Sequence, residues 1–385
     1  MPPPLAPRPE APPRFTAAAV LIGAAAVLAL DAWAMASVDS DYYIPDVFRP
    51  FTAALVVVLV ASGWARPTFV RTGIRALAAT VAVAVLLLEA QSRFGEVHNE
   101  HIMVTGDVLQ RYQYRPDARA EVNRDGSYVR INSQGLWDSE HAIPKPPGVY
   151  RVALLTGSIA NDGGVPYTDR FHEVLERRLA GALPDGRRVE VINVSCEGYN
   201  TQQQVRLLER VGMRYEPDLV VVGYMLTSAS LQNGAYRRIG NSFFLFRFLP
   251  LIKRAATGSV CSLFEPFHRG YGFELVVRGA LERLALLRRQ HGFRVLVAVL
   301  PVVEDFADPL CNDLYDRVAR VSRATGFETI RVVDAFRGER FERYLKPNGR
   351  WDVCHPNAAG HSRIAGALDE AIRRVIARPA GQNSE

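Results

Sequence analysis

The apolar positions of this chain fall into two regimes. Through the first 90 residues they run together almost without charge, and beyond about residue 150 they come in short blocks between amphipathic stretches. Three of the early runs predict membrane-spanning helices: about 15–38, interrupted by Asp31; about 48–65; and about 73–90, with Arg75 and Glu89 at its ends. A spanning helix takes about 17–25 predominantly apolar residues. The two shorter runs reach that length by drawing in flanking residues that snorkel. The first run is too long for a cleaved signal peptide, and two more follow it, so retention in the membrane is expected.

The later regime alternates between periods of two and of 3.6 residues. Short apolar blocks predict strands at Val152–Leu155, Val189–Val194, Leu219–Tyr224, Arg294–Leu300 and Thr329–Asp334. Between them, amphipathic stretches predict helices at Thr168–Leu183, Thr201–Met213, Phe273–Gln290 and Leu310–Ala324. A last helix is expected from an Asn357 cap to about Ala377, with Ile364, Leu368, Ile372 and Ile376 on its buried stripe. Apolar strands alternating with helices build a parallel sheet covered on both faces, an α/β domain over about 151–378. A lead-in at 93–150 precedes it, and the ends at 1–14 and 379–385 read as tails. The stretch Leu231–Gly270, crowded with Phe243, Phe244, Phe246 and Phe248, has no place in the alternation. Three readings stand for it: a packed insertion, a lid, or a segment resting on the membrane surface.

Charge sets the orientation. Arg8 and Arg14 precede the first run, and Arg66, Arg71 and Arg75 lie between the second and third. The link between the first two carries Asp39, Asp41 and Asp46 against Arg49. The positive-inside rule then puts the amino terminus in the cytoplasm and, after three crossings, the α/β domain outside it. A multi-pass protein of a bacterial inner membrane, in contact with lipid through its first helices, is the expectation. The net charge of +6 is spread out, with no basic cluster interleaved with aromatics, which excludes nucleic acid as a partner. Cys196, Cys261, Cys311 and Cys354 allow three pairings; Cys196 and Cys354 both fall on loops at one sheet edge, so a bridge between them is one expectation. No Cys-x-x-Cys spacing points to zinc, and neither a metal nor a cofactor is expected.

In a parallel α/β sheet the chemistry gathers beyond the carboxyl ends of the strands. There the sequence reads Leu155-Thr156-Gly157-Ser158, then Asn193-Val194-Ser195-Cys196-Glu197-Gly198-Tyr199-Asn200-Thr201, then Gly223-Tyr224-Met225-Leu226-Thr227-Ser228. Near the end comes Asp352-Val353-Cys354-His355-Pro356-Asn357. A serine nucleophile needs a base within hydrogen-bond reach and a carboxylate to orient that base. Asp352 and His355, three apart on a turn, supply both roles, and Pro356 keeps His355 extended rather than helical. His361 is expected on the solvated side of the final helix, and Asp334 as a cap or turn residue.

These four stretches resemble the SGNH (GDSL-like) hydrolases. The segment Asn132–Asp138 with Lys145–Arg151 is similar to the lead-in of membrane-attached bacterial members. The resemblance covers roughly Asn132–Ala377 and implies a three-layer, flavodoxin-like α/β fold. It also implies Ser158 as nucleophile, His355 as base and Asp352 as its orienter. The family's oxyanion hole uses the serine's own N–H, a glycine N–H and an asparagine side chain. Ser195 stands at the glycine's position and Thr227 at the asparagine's, and Thr156-Gly157 replaces Gly-Asp. Removing one such donor typically costs about 2.7–4 kcal/mol of transition-state stabilisation. Three readings stay open: an esterase acting on acyl esters, O-acetyl esters among them; an O-acyltransferase modifying an envelope polysaccharide; and a degenerate member that binds a carbohydrate or partner without turnover.

Overall fold

The structure is a computed structural model in which residues 103–105, 110, 112–121, 128–161, 164–230, 256–346 and 352–378 are described. The expected membrane helices at about 15–38, 48–65 and 73–90 lie outside them, as does the Phe243–Phe248 cluster. Among the described residues, no helix is long and apolar enough to cross a membrane.

Two small antiparallel hairpins come first: β1 (Met103–Thr105) with β2 (Tyr112–Tyr114), and β3 (Arg119–Glu121) with β4 (Tyr128–Arg130). The main sheet follows. Strands β5 (Val149–Leu155) and β7 (Leu219–Tyr224) are buried throughout, and β6 (Arg188–Asn193) and β8 (Arg294–Val299) at all but their first residue. Runs of Val, Leu and Ile of this kind are stable only when helices cover both faces. β9 (Glu328–Arg331), half-buried, forms one edge. All five pair in parallel in the order β6-β5-β7-β8-β9, which is the flavodoxin-like order with its switch point between β5 and β7.

Side-chain alternation then sorts the core into two layers. Val152, Leu154, Leu219 and Val221 face helices α1 (Phe171–Leu179) and α5 (Ala358–Ala377). Ala153, Leu155, Val220 and Val222 face α2 (Thr201–Arg210), α3 (Gly279–His291) and α4 (Pro309–Ala324). The polar start of α2 is tolerated because Asn200 caps it: its side chain accepts from the Gln203 N–H while Gln203 Oε1 accepts from the Asn200 N–H. The expected strand Thr329–Asp334 stops at Arg331, and Val332–Phe336 winds into a 3₁₀ turn.

Two expectations are corrected. His361 is fully buried, not solvated: its Nδ1 accepts the Phe171 N–H at 3.1 Å, closing the first turn of α1 against α5. The disulfide joins Cys261 to Cys311, not Cys196 to Cys354. It ties the turn Val260–Leu263 to the start of α4. Cys196 is instead sealed in the core, and Cys354 packs against both core layers, so neither thiol is offered to the other across the loops. The described part of the Leu231–Gly270 stretch is a packed insertion, with Val260, Cys261, Phe264 and His268 buried.

Candidate active site

β5 ends at Leu155, Thr156 and Gly157 turn the chain, and Ser158 opens a 3₁₀ turn, Ser158–Asn161, at the switch point. The opposite wall comes from the far end of the sequence. Asn357 caps α5 through the Gly360 N–H, and its own amide donates to the carbonyls of Arg343 and Leu345. The Val303 N–H, just past β8, donates to the Val353 carbonyl at 2.6 Å. The turn carrying Asp352 and His355 is thereby pinned over the carboxyl edge.

Across a sequence separation of 197 residues, Ser158 Oγ and His355 Nε2 lie 2.7 Å apart. His355 Nδ1 lies 2.7 Å from Asp352 Oδ1. A carboxylate at Nδ1 fixes the tautomer with the proton on that nitrogen, which leaves the Nε2 lone pair facing the serine O–H. The Asp352 Oδ1 also accepts from the Cys354 N–H at 3.3 Å, so its own orientation is held. Burial, and Asp352 beside it, push the Cys354 thiol up to about 12, so it stays protonated and poorly nucleophilic.

The two remaining sequence candidates are placed differently. Ser195 is fully buried. Its Oγ accepts from the Thr156 N–H at 2.9 Å, lies 3.0 Å from Thr156 Oγ1, and donates to the Leu154 carbonyl at 3.3 Å. The hydroxyl is thus turned back into β5. No described residue accepts from the Ser195 backbone N–H. Thr227 is exposed on the turn Leu226–Ala229, with no hydrogen bond to Ser158, His355 or Asp352.

Behind the nucleophile lies a set of buried amides that sequence reasoning missed. Asn193, the last residue of β6, donates from Nδ2 to Asn161 Oδ1 at 2.8 Å and to the Trp137 carbonyl at 3.0 Å. Asn161 Nδ2 donates to Tyr114 Oη at 3.1 Å. The only signal in the sequence was position: Asn193 at a strand end and Asn161 three residues past the serine. Asp138 anchors this set to the lead-in by accepting the Asn193 N–H at 2.8 Å. Burial would raise its carboxyl, but the hydrogen bond and charge of His141 hold it below the ordinary range. Asp138, His172 and Glu173 bring ligand atoms within 4.8 Å of one another. The Asp138 oxygens, however, already accept from Ser139 N, Tyr167 Oη, Asn193 N and His141, so the cluster is a filled hydrogen-bond node.

No family model matches the sequence, and no curated protein matches it. Among solved structures the chain is similar to TesA, at 14% identity and a TM-score of 0.39, over 58% of this chain and 99% of that one. It is similar to Axe2, an acetylxylan esterase from Geobacillus stearothermophilus, at 14% identity and a TM-score of 0.40, over 61% and 97%. It is also similar to a two-domain esterase active on acetylated mannans, at 17% identity and a TM-score of 0.39, over 62% of this chain and 52% of that one.

Proposed function

We propose that this chain is a serine ester hydrolase of the SGNH (GDSL-like) type, acting on acyl esters, O-acetyl esters among them, through Ser158, His355 and Asp352. The observation that carries the reading is the pair of 2.7 Å contacts linking Ser158 Oγ to His355 and His355 to Asp352. His355 Nε2 takes the serine proton as Ser158 Oγ attacks the ester carbonyl carbon, and Asp352 stabilises the imidazolium. The resemblance supplies the oxyanion donors: the backbone N–H groups of Ser158 and Ser195, and Thr227 at the third position. On collapse, the C–O bond to the alcohol breaks and His355 returns its proton to the departing oxygen. Water, deprotonated by His355, then attacks the acyl-enzyme and releases the acid.

Turnover of short acyl esters by the purified full chain tests this. Ser158→Ala is expected to abolish it, and equal activity in that variant overturns the assignment. Incubation with an acyl donor and candidate glycans separates the acceptors: free acid marks a hydrolase, and a mass gain on the glycan marks a transferase.

The site works outside the cytoplasm in this reading, on an envelope component or a secreted molecule. The charge bias of the first 90 residues supports that placement. Alkaline phosphatase fused after Arg151 is expected to be active; an inactive fusion, with a fluorescent cytoplasmic fusion at the same point, overturns it.

A further inference from the structure

The Asp352 carboxylate has a second neighbour. Lys346 Nζ lies 3.6 Å from Asp352 Oδ2, the oxygen that His355 does not use. The lysine side chain is only 12% exposed. Its stem lies flat over Gly164, in the loop that follows the Ser158 turn. A Cβ at that glycine would come within 2.8, 3.0 and 3.2 Å of Lys346 Nζ, Cε and Cδ. Lys346 is one of three lysines among the 46 basic residues of the chain, so an ammonium is not its ordinary surface cation.

We infer that Lys346 is a positioning residue for the Ser158–His355–Asp352 set: it holds the Asp352 carboxylate ionised and turned toward His355, and it clamps the loop after the nucleophile to the turn that carries the base. The inference rests on the proposed serine hydrolase reading. Lys346 acts through Asp352 and Gly164. The described titratable groups around Asp352 include His355 and Cys354 on its own turn, Lys346 ahead of it, Ser158 across from His355, and Tyr315 of α4 behind Cys354. Cys354 and Tyr315 are both pushed up by burial and stay neutral through neutral pH, and Lys346 supplies a cation beside the Asp352 carboxylate.

The sign of the effect follows. With the ammonium present, the net negative charge that stabilises a protonated His355 is partly offset. Removing it favours the imidazolium, so the free base is lost at higher pH. Lys346→Met is therefore expected to move the acidic limb of the kcat–pH profile upward by about half a unit, and to lower kcat about threefold on that limb. Lys346→Arg is expected to restore the position of the limb. Gly164→Ala, which changes no charge, pushes the lysine off the carboxylate and is expected to move the limb in the same direction as Lys346→Met.

The experiment is the kcat–pH profile of the full chain and these three variants on p-nitrophenyl acetate, beside fluorophosphonate labelling of Ser158. Wild-type turnover with an unmoved acidic limb in both Lys346→Met and Gly164→Ala overturns the positioning role and leaves the hydrolase reading standing. A shift in Lys346→Met that Lys346→Arg does not reverse overturns the charge argument. A wild-type chain that neither turns over nor labels overturns the hydrolase reading, and this inference with it.

Discussion

A Cβ on residue 223 would come within 2.4 Å of Thr156 Cγ2, so the threonine methyl fills the space that Gly223 leaves on the neighbouring strand. Thr156 leads directly into the Ser158 turn, and its hydroxyl meets Ser195 at 3.0 Å. Overfilling this contact shifts the serine's support. Gly223→Ala is expected to cost about 1–3 kcal/mol of stability. Thr156→Ser removes the methyl and keeps the hydroxyl, so the double variant Thr156→Ser/Gly223→Ala is expected to recover most of that loss. Denaturant unfolding of the two single variants and the double variant measures the coupling; simple additivity contradicts the contact.

The Cys261–Cys311 bridge closes a loop with a sequence separation of 50. Chain-entropy arguments put its contribution at about 4 kcal/mol. Cys261→Ala/Cys311→Ala is expected to lower the unfolding midpoint by a corresponding amount, and reductant is expected to do the same to the wild type. Thiol titration of denatured protein should count two free thiols before reduction, Cys196 and Cys354, and four after it. A bridge containing Cys196 or Cys354 contradicts the fold.

His172 is fully buried, and neither ring nitrogen has a hydrogen-bond partner among the described residues. Burial, reinforced by the charges of Arg170 and His361 and opposed by Asp138, lowers it to about 4. The unfolded chain therefore binds a proton that the folded chain refuses between pH 6.5 and about 4. Stability falls as pH drops through that window, by about 3 kcal/mol at its foot. His141 works in the opposite sense: burial lowers it, but pairing with Asp138 raises it above 6.5, so its contribution is complete below 6.5 and does not vary there. His172→Leu is expected to flatten the pH dependence of unfolding across the window. An unchanged slope contradicts the buried neutral imidazole.

Most of the sheet could be read from the sequence because its strands are apolar on both faces, a pattern that only a covered parallel sheet explains. Ser158, Asp352 and His355 could be read because two of them share a turn and the third follows the first strand of the sheet. What escaped was set by tertiary contact. His361 falls on the polar side of an amphipathic count, yet α1 packs over it and supplies the Phe171 N–H. The cysteine pairing followed loops in sequence, whereas Cys196 and Cys354 point into the core. The Thr329–Asp334 strand was drawn too long because Val332 and Val333 are buried by a 3₁₀ turn as well as they would be by a strand. Lys346 gave no sign at all, since its meaning lies in Gly164 and Asp352, one of them nearly 200 positions away.

The most direct test of the account is covalent labelling of the folded full chain with a fluorophosphonate, read by peptide mass spectrometry. The probe phosphonylates a serine only where a base has activated it. The account predicts one modified peptide, carrying the label on Ser158, and its disappearance in Ser158→Ala and in His355→Ala. Well-folded protein that takes up no label, or that labels at a serine other than Ser158, contradicts it.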